Sequence, residues 1–227
     1  MTPYYDDGAV TIYHGDCREV LPSLQFDLGL LLTDPPYGIS ERTDRKAKGR
    51  GNLAECNDFP PVYGDDEPFD PSHLLGYKPA VLFGGNYYAD KLPSVSSWLV
   101  WDKLDGLRTD KRDLGFDDNA DCELAWTNVG GPARIIPLRW KGMLKATERD
   151  LKRVHPTQKP VSLMQRIIAA LARPVGVVLD PYMGGGSTLR AAKDLGRTSI
   201  GIEISEAYCE VAANRMSQEV LDFGGVA

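Results

Sequence analysis

The residues whose types and spacing best suit chemistry are Thr33-Asp34-Pro35-Pro36-Tyr37-Gly38. They follow directly on the run Asp27 to Leu32, which reads as a buried strand. Proline lacks an N–H and fixes φ, so Pro35 and Pro36 end that strand and hold the next residues in a stiff extended turn. A carboxylate, a carbonyl claimed by no helix or sheet, and a ring face are thereby presented together at the carboxyl end of a strand, where open α/β sheets place ligands. This group suits a flat molecule that bears an amine. Asp34, Pro35, Pro36 and Tyr37 are the candidate catalytic residues.

A second constellation lies in the last third of the chain. Val175 to Asp180 reads as a buried strand, Gly184-Gly185-Gly186-Ser187-Thr188 as a turn into a helix from Leu189 to Leu195, and Thr198 to Glu203 as the next strand. Glycines let backbone approach a ligand closely, and N–H groups at a helix start point at polar or negative groups. Glu203 stands 17 residues after Gly186, where a carboxylate accepts hydrogen bonds from ribose hydroxyls. Leu189 occupies the place of the third glycine of a dinucleotide fingerprint, which argues against a nicotinamide or flavin dinucleotide. Asp180 at the mouth of the turn would repel a pyrophosphate and attract the ammonium of an amino acid. A nucleoside with an amino-acid tail and no phosphate meets these demands, and S-adenosylmethionine is such a molecule. A third stretch, His155-Pro156-Thr157-Gln158-Lys159-Pro160, forms a stiff loop before an amphipathic helix, with Lys159 a natural partner for a charged cofactor tail.

These residues need elements to position them. Ala9 to His14 reads as a strand, with Asp16 capping a short helix from Cys17 to Leu24. Pro71 to Tyr77 is expected to form a short helix, and Pro79–Phe83, Ser97–Trp101 and Cys122–Trp126 further strands. Apolar residues at Val161, Leu163, Met164, Ile167, Ile168 and Leu171 give the three-and-four spacing of a helix over Pro160 to Leu171, and a last helix runs from Ser205 to about Val220. The stretches 38–70 and 128–154 show no sustained periodicity and are expected to be long functional loops.

The chain has 227 residues, enough for one sizeable α/β domain, 1–227. It contains no run of about 18 apolar residues and no basic-then-apolar leader, so a cytoplasmic protein is expected. Cys17, Cys56, Cys122 and Cys209 are scattered and do not cluster with the three histidines, so no metal site or disulfide framework is expected. The formal charge is −6, yet it is unevenly spread. Residues 42 to 50 carry five basic side chains (Arg42, Arg45, Lys46, Lys48, Arg50) against one acid, and 134 to 153 carry seven against two. Basic patches on an acidic body suit a polyanion gripped on one face.

Taken together, Asp34-Pro35-Pro36-Tyr37, His155 to Pro160 and Asp180-Pro181-Tyr182-Met183-Gly184-Gly185-Gly186-Ser187-Thr188 resemble the signature elements of the DNA aminomethyltransferases that act on adenine N6 or cytosine N4. Their order is that of the permuted (beta) group, in which the catalytic turn precedes the cofactor turn. The similarity extends to Gly15-Asp16-Cys17, Trp101-Asp102-Lys103 and Gly201-Ile202-Glu203. It implies a Rossmann-like, seven-stranded mixed sheet flanked by helices, the S-adenosylmethionine-dependent methyltransferase fold, with the strands ending at Asp34 and Asp180 side by side at its centre. It also implies that Asp16, with Cys17 beside it, meets the cofactor's adenine, and Glu203 its ribose. Asp180, Tyr182, Gly184, Gly186, Ser187 and Thr188 would surround its sugar and methionine, and Thr157, Gln158 and Lys159 its methionine end. Tyr182 stands where the family usually has phenylalanine. Only 28 residues separate Trp126 from His155, where members with extended target recognition place a larger segment.

The resemblance implies transfer of a methyl group to an amine of a base swung out of double-stranded DNA, with Tyr37 stacked on that base. Adenine N6 is the first target because an aspartate opens the turn, whereas N4-cytosine members more often begin it with serine. N4-cytosine, or a non-catalytic protein that binds S-adenosylmethionine and DNA, are the alternatives, and RNA is a further possible substrate. Arg42, Arg45, Lys46, Lys48 and Arg50 are expected to touch phosphates, and Arg139 and Lys141 to supply the opposite wall. A restriction-modification setting and a monomer or homodimer fit this reading.

Overall fold

The computed structural model describes residues 1–41, 59–106, 120–141, 144–148 and 154–218. Its strands are β1 (Tyr5–Asp6), β2 (Val10–His14), β3 (Leu28–Thr33), β4 (Ala80–Phe83), β5 (Trp98–Asp102), β6 (Cys122–Thr127), β7 (Arg134–Pro137), β8 (Trp140–Lys141), β9 (Leu144–Lys145), β10 (Val177–Asp180) and β11 (Ser199–Glu203). The helices are α1 (Cys17–Val20), α2 (Val161–Leu171), α3 (Ser187–Asp194) and α4 (Glu206–Ser217).

Among the described residues nine strands form one mixed sheet in the order β1-β2-β11-β10-β3-β4-β6-β5-β7, and β8 and β9 make a separate hairpin. The expected seven strands are therefore the central part of a nine-stranded sheet. β1 is added by folding back antiparallel on β2, and β7 by running parallel to β5. β7 escaped sequence reading because the edge strand is exposed on both faces apart from Ile136, so it carries no alternation of apolar and polar residues. The stretch 128–154, expected to be irregular, thus holds β7, β8 and β9 among its described residues. Two helical expectations also change. Pro22 closes the helix begun at Cys17 after one turn, and Leu21–Ser23 continues as a 3-10 turn. Residues 72–76 form turns rather than a helix.

The centre of the sheet is the parallel set β2, β11, β10, β3 and β4. Every residue of β3 from Gly29 to Thr33 is buried, because both sheet faces are covered. Leu30 and Leu32 face Leu163, Met164, Ile167 and Ile168 of α2, while Leu31 faces the layer of Val20, Phe69, Leu74 and Tyr88. The apolar spacing of α2 thus buries the stripe that the sequence predicts. α4 packs Cys209, Ala212 and Met216 on Val10 and Ile12 of β2. Among the described residues no helix is long and apolar enough to cross a membrane.

Strand direction decides what meets at the rim. The carboxyl ends of β2, β11, β10, β3, β4 and β5 lie on one edge, and antiparallel β6 brings its amino end, with Cys122 and Glu123, to that same edge.

Candidate active site

β3 and β10 are hydrogen-bonded neighbours, so Asp34 and Asp180 leave the sheet side by side. Thr33 Oγ1 donates to Asp180 Oδ1 at 2.7 Å and ties the two strand ends together. The catalytic turn then presents Asp34 with both oxygens engaged. The Tyr37 hydroxyl donates to Oδ1 at 2.5 Å, and Lys159 Nζ donates to Oδ2 at 2.5 Å. Both bonds are charge-assisted, since the acceptor is a carboxylate and one donor an ammonium. Lys159 is only 6% exposed and also lies 3.2 Å from Glu123 Oε2. Burial pushes the Asp34 carboxyl up, with Lys159 opposing it. Burial pulls Lys159 down, but Asp34 and Glu123 outweigh it and hold the ammonium above its usual value. The lysine is therefore a buried cation between two carboxylates.

Backbone contacts hold the turn in place. The N–H groups of Tyr37, Gly38, Ile39 and Glu41 donate to the buried Asp65 carboxylate at 2.9, 2.9, 3.4 and 2.7 Å. A single side chain from 24 to 28 residues away thus fixes the exit from the Pro-Pro turn. The Tyr37 ring rests on Gly84, where a Cβ would overlap ring Cε1, so only glycine permits this seat. Tyr37 also stacks on Tyr87, with centroids 5.0 Å apart and planes 15° apart.

Beside Asp34 opens a cleft of about 340 Å³, counting its open mouth. Asp34, Thr157, Gln158, Lys159, Asp180, Tyr182, Gly184, Ser187 and Thr188 line it, together with His155 and Met183. Gly184 and Gly186 have φ of 49° and 76°, and Gly186 is the residue before α3. Burial raises the Asp180 carboxyl to about 6. Burial, with help from Lys159, lowers His155 to about 4, so its ring is neutral at pH 7. Thr157 N and Oγ1 lie 3.3 and 3.2 Å from His155 Nδ1, and Gln158 Oε1 accepts from Val154 N at 2.9 Å, so the loop is braced internally.

Other sequence candidates sit around this cleft without lining it. Glu203 accepts from Gly184 N at 3.0 Å and Ser205 N at 2.8 Å, and so steadies the glycine turn. Asp16 caps α1 through Arg18 N, on a strand end joined to its neighbour by the Gly15 N–H to Glu203 carbonyl bond of 2.9 Å. Cys17 is buried with Sγ 3.7 Å from His73 Nε2, and the Tyr182 hydroxyl is 3.0 Å from the same nitrogen. Arg139 approaches Asp105 at 4.0 Å. It belongs to a segment that runs along the rim, since Leu138 N and Trp140 N bond the carbonyls of Asp102 and Lys103. The backbone of Lys141 pairs with Leu144. Arg42, Arg45, Lys46, Lys48 and Arg50 lie outside the described residues.

Sequence reasoning missed Asp65, His73, Tyr87 and Glu123. Asp65 is one of three consecutive acids, and nothing local marks it as the buried one. Glu123 did carry a signal: it is an acid inside a strand pattern, on the same face as buried Ala125.

A doubly wound α/β sheet with a glycine turn and a carboxylate ending the next strand, and a rigid acidic turn on the neighbouring strand, defines an α/β protein with a nucleotide-type ligand site at the carboxyl edge of its sheet. A family profile described as DNA methylase, for N6 and N4 methyltransferases, matches residues 100–214, just over half of the chain. The chain belongs to this DNA methylase family. The type II methyltransferase M.ScaI of Streptomyces caespitosus is 27% identical over 262 aligned residues, 96% of this chain and 84% of that protein. The crystal structure of the M1.HpyAVI–SAM complex superposes with a TM-score of 0.57 at 23% identity, covering 92% of this chain and all of the other. PvuII DNA methyltransferase, a cytosine-N4-specific enzyme, superposes with the same TM-score at 17% identity over 96% of this chain and 89% of its own. At these identities the two solved structures speak to the fold.

Proposed function

We propose that this chain transfers a methyl group from S-adenosylmethionine to the N6 amine of an adenine swung out of duplex DNA, as a single domain working in the cytoplasm. One observation carries the reading: Asp34 lines the same cleft as Asp180, Tyr182 and the glycine turn, so an amine held by the first would face a donor held by the others. The residues fit that donor. Asp180 is a buried carboxylate suited to an ammonium, and Glu203 retains unused lone pairs beside Gly184 for hydroxyls. Bound there, the cofactor supplies an electrophilic sulfonium methyl.

An adenine amine is a poor nucleophile because its lone pair is delocalised into the ring. Asp34 accepts one amine N–H and the Pro35 carbonyl the other, which localises the lone pair on nitrogen and aims it into the cleft. Tyr37 stacks on Tyr87 in this structure, so the base takes the place of that ring; a base stacked on Tyr37 gains ~1–3 kcal/mol, part of the cost of extrusion. The excess proton leaves toward Asp34 and water. Adenine is preferred because an aspartate opens the turn. The basic stretches at 42–50 and 134–153 grip phosphates and steer the duplex toward the rim.

The test is to incubate the protein with labelled methyl donor and genomic DNA, digest the DNA to nucleosides and identify the product by mass spectrometry. N6-methyladenine is expected. N4-methylcytosine overturns the choice of base, and unlabelled DNA overturns the reading. Asp34→Ala is expected to slow transfer by ~100-fold or more while cofactor binding by calorimetry stays within a few-fold; full activity removes Asp34 from the mechanism.

A further inference from the structure

Four charged side chains meet behind the catalytic turn. Lys103 Nζ lies 2.8 Å from Glu123 Oε1, Lys159 Nζ lies 3.2 Å from Glu123 Oε2, and Lys159 Nζ lies 2.5 Å from Asp34 Oδ2. The charges alternate and balance. The side chains are 7% exposed for Lys159, 14% for Asp34 and 23% for Glu123, so each feels the others through a medium that screens poorly. Phe83 and Tyr37 rings flank the Lys159 ammonium at 5.4 and 5.7 Å, leaving carboxylates as its strong partners.

The two carboxylates hold this ammonium unequally. The ammonium sits closer to Asp34 Oδ2, at 2.5 Å, than to Glu123 Oε2, at 3.2 Å, and that buried Glu123 oxygen has no partner besides this looser ion pair. That oxygen is an acceptor in reserve. The asymmetry has a chemical cost for the proposed reaction. An ammonium bonded to Asp34 Oδ2 withdraws electron density from that oxygen, and the Tyr37 hydroxyl does the same at Oδ1, so each keeps a free lone pair but accepts the amine N–H more weakly. Asp34 becomes the stronger acceptor when the lysine moves off it. A buried lysine leaves one carboxylate only when another is within reach, since an unpaired buried charge is costly.

Resting on the proposed amine methylation, we infer that Glu123 is a positioning residue: it takes the Lys159 ammonium from Asp34 when the target amine arrives, freeing Oδ2 to accept the amine N–H. Nothing covalent changes. One hydrogen bond from Nζ shifts from Asp34 to Glu123, and the amine N–H replaces it. Lys103 holds the other oxygen of Glu123, so the acceptor stays in place during the exchange.

Such an exchange has a pH signature. Asp34 is faced by Lys159, Glu123, Tyr37, Asp180 and Tyr88, with Lys103 behind Glu123 and neutral His155 beside Lys159. Burial is the main cause of the raised Asp34 value, and the negative charge of Glu123 adds to it. Removing that charge lowers the Asp34 value, so the acid limb of the rate profile moves to lower pH.

The experiment measures single-turnover methyl transfer to double-stranded DNA against pH for wild type, Glu123→Gln and Glu123→Asp, with cofactor affinity by calorimetry and thermal unfolding alongside. Glu123→Gln is expected to slow the plateau rate by ~10–100-fold, the worth of a hydrogen bond to a charged group, to shift the acid limb downward and to leave cofactor affinity within about 2-fold. Glu123→Asp keeps the charge, so its limb stays at the wild-type position and part of the rate returns; this arm carries the test if the glutamine variant does not fold. A Glu123→Gln profile that coincides with wild type, or a Glu123→Asp variant whose limb moves, overturns the inference while the methylation reading stands. A wild-type protein that leaves DNA unlabelled overturns both.

Discussion

Buried between Thr33 and Tyr182, the Asp180 carboxyl is pushed by burial from 3.8 to about 6. In an unfolded chain this group ionises near its ordinary value, so stability is undiminished below pH 4, falls as pH rises toward 6, and is level above it. The gap amounts to about 3 kcal/mol across that window. Urea unfolding of Asp180→Asn without ligand is expected to gain on wild type by about 2–3 kcal/mol between pH 4 and pH 7. The cofactor ammonium should reverse the effect by favouring the ionised carboxylate. Binding near pH 6 is then expected to release a proton, seen as a dependence of calorimetric heat on buffer ionisation enthalpy. Asp180 could be singled out from its type and its place before a glycine turn. Its hydrogen bond to Thr33, 147 residues away, could not.

At the level of elements, the glycine turn shows how a local rule is satisfied from elsewhere. In a dinucleotide fold a third glycine lets helix and strand approach closely. Here that position is Leu189, fully buried, and the close approach is made on the strand side. A Cβ on Gly201 would lie 2.5 Å from Met183 Sδ and 2.7 Å from Leu189 Cδ2. Gly201→Ala is therefore expected to cost about 1–3 kcal/mol in denaturant unfolding and to weaken cofactor binding, because Met183 belongs to the turn itself. The helix–strand unit was legible because its periodicities are local. The place of Glu123 was not, because it depends on β6 running antiparallel to β4 and β5, and alternation along a strand carries no direction.

For the molecule as a whole, charge is divided between an acidic body and two basic stretches that flank the catalytic rim in sequence. Each lysine or arginine that meets a phosphate releases counterions, so affinity for DNA should fall steeply with salt. Between 50 and 200 mM salt the dissociation constant is expected to rise by ~1,000-fold if six or more phosphates are neutralised. Replacing Arg42, Arg45, Lys46, Lys48 and Arg50 by glutamine should make the log–log slope shallower by ~1 for each phosphate no longer neutralised. Fluorescence anisotropy across a salt series checks both, and an unchanged slope removes 42–50 from the phosphate-binding surface.

By itself the sequence determined the fold class, the buried strands, the amphipathic helix and the three motif stretches that line the cleft, because each rests on patterns within about twenty residues. It also carried the likeness to the DNA methylase family, in the types and order of separated motifs. Tertiary structure alone decided that β1 and β7 join the sheet, since short edge strands leave no periodic trace. It alone set Asp65 under the catalytic turn and drew Lys159 onto Asp34 and Glu123. Those contacts join residues 24 to 125 positions apart, and a pairing over such distances follows from strand order and direction, which no local pattern encodes.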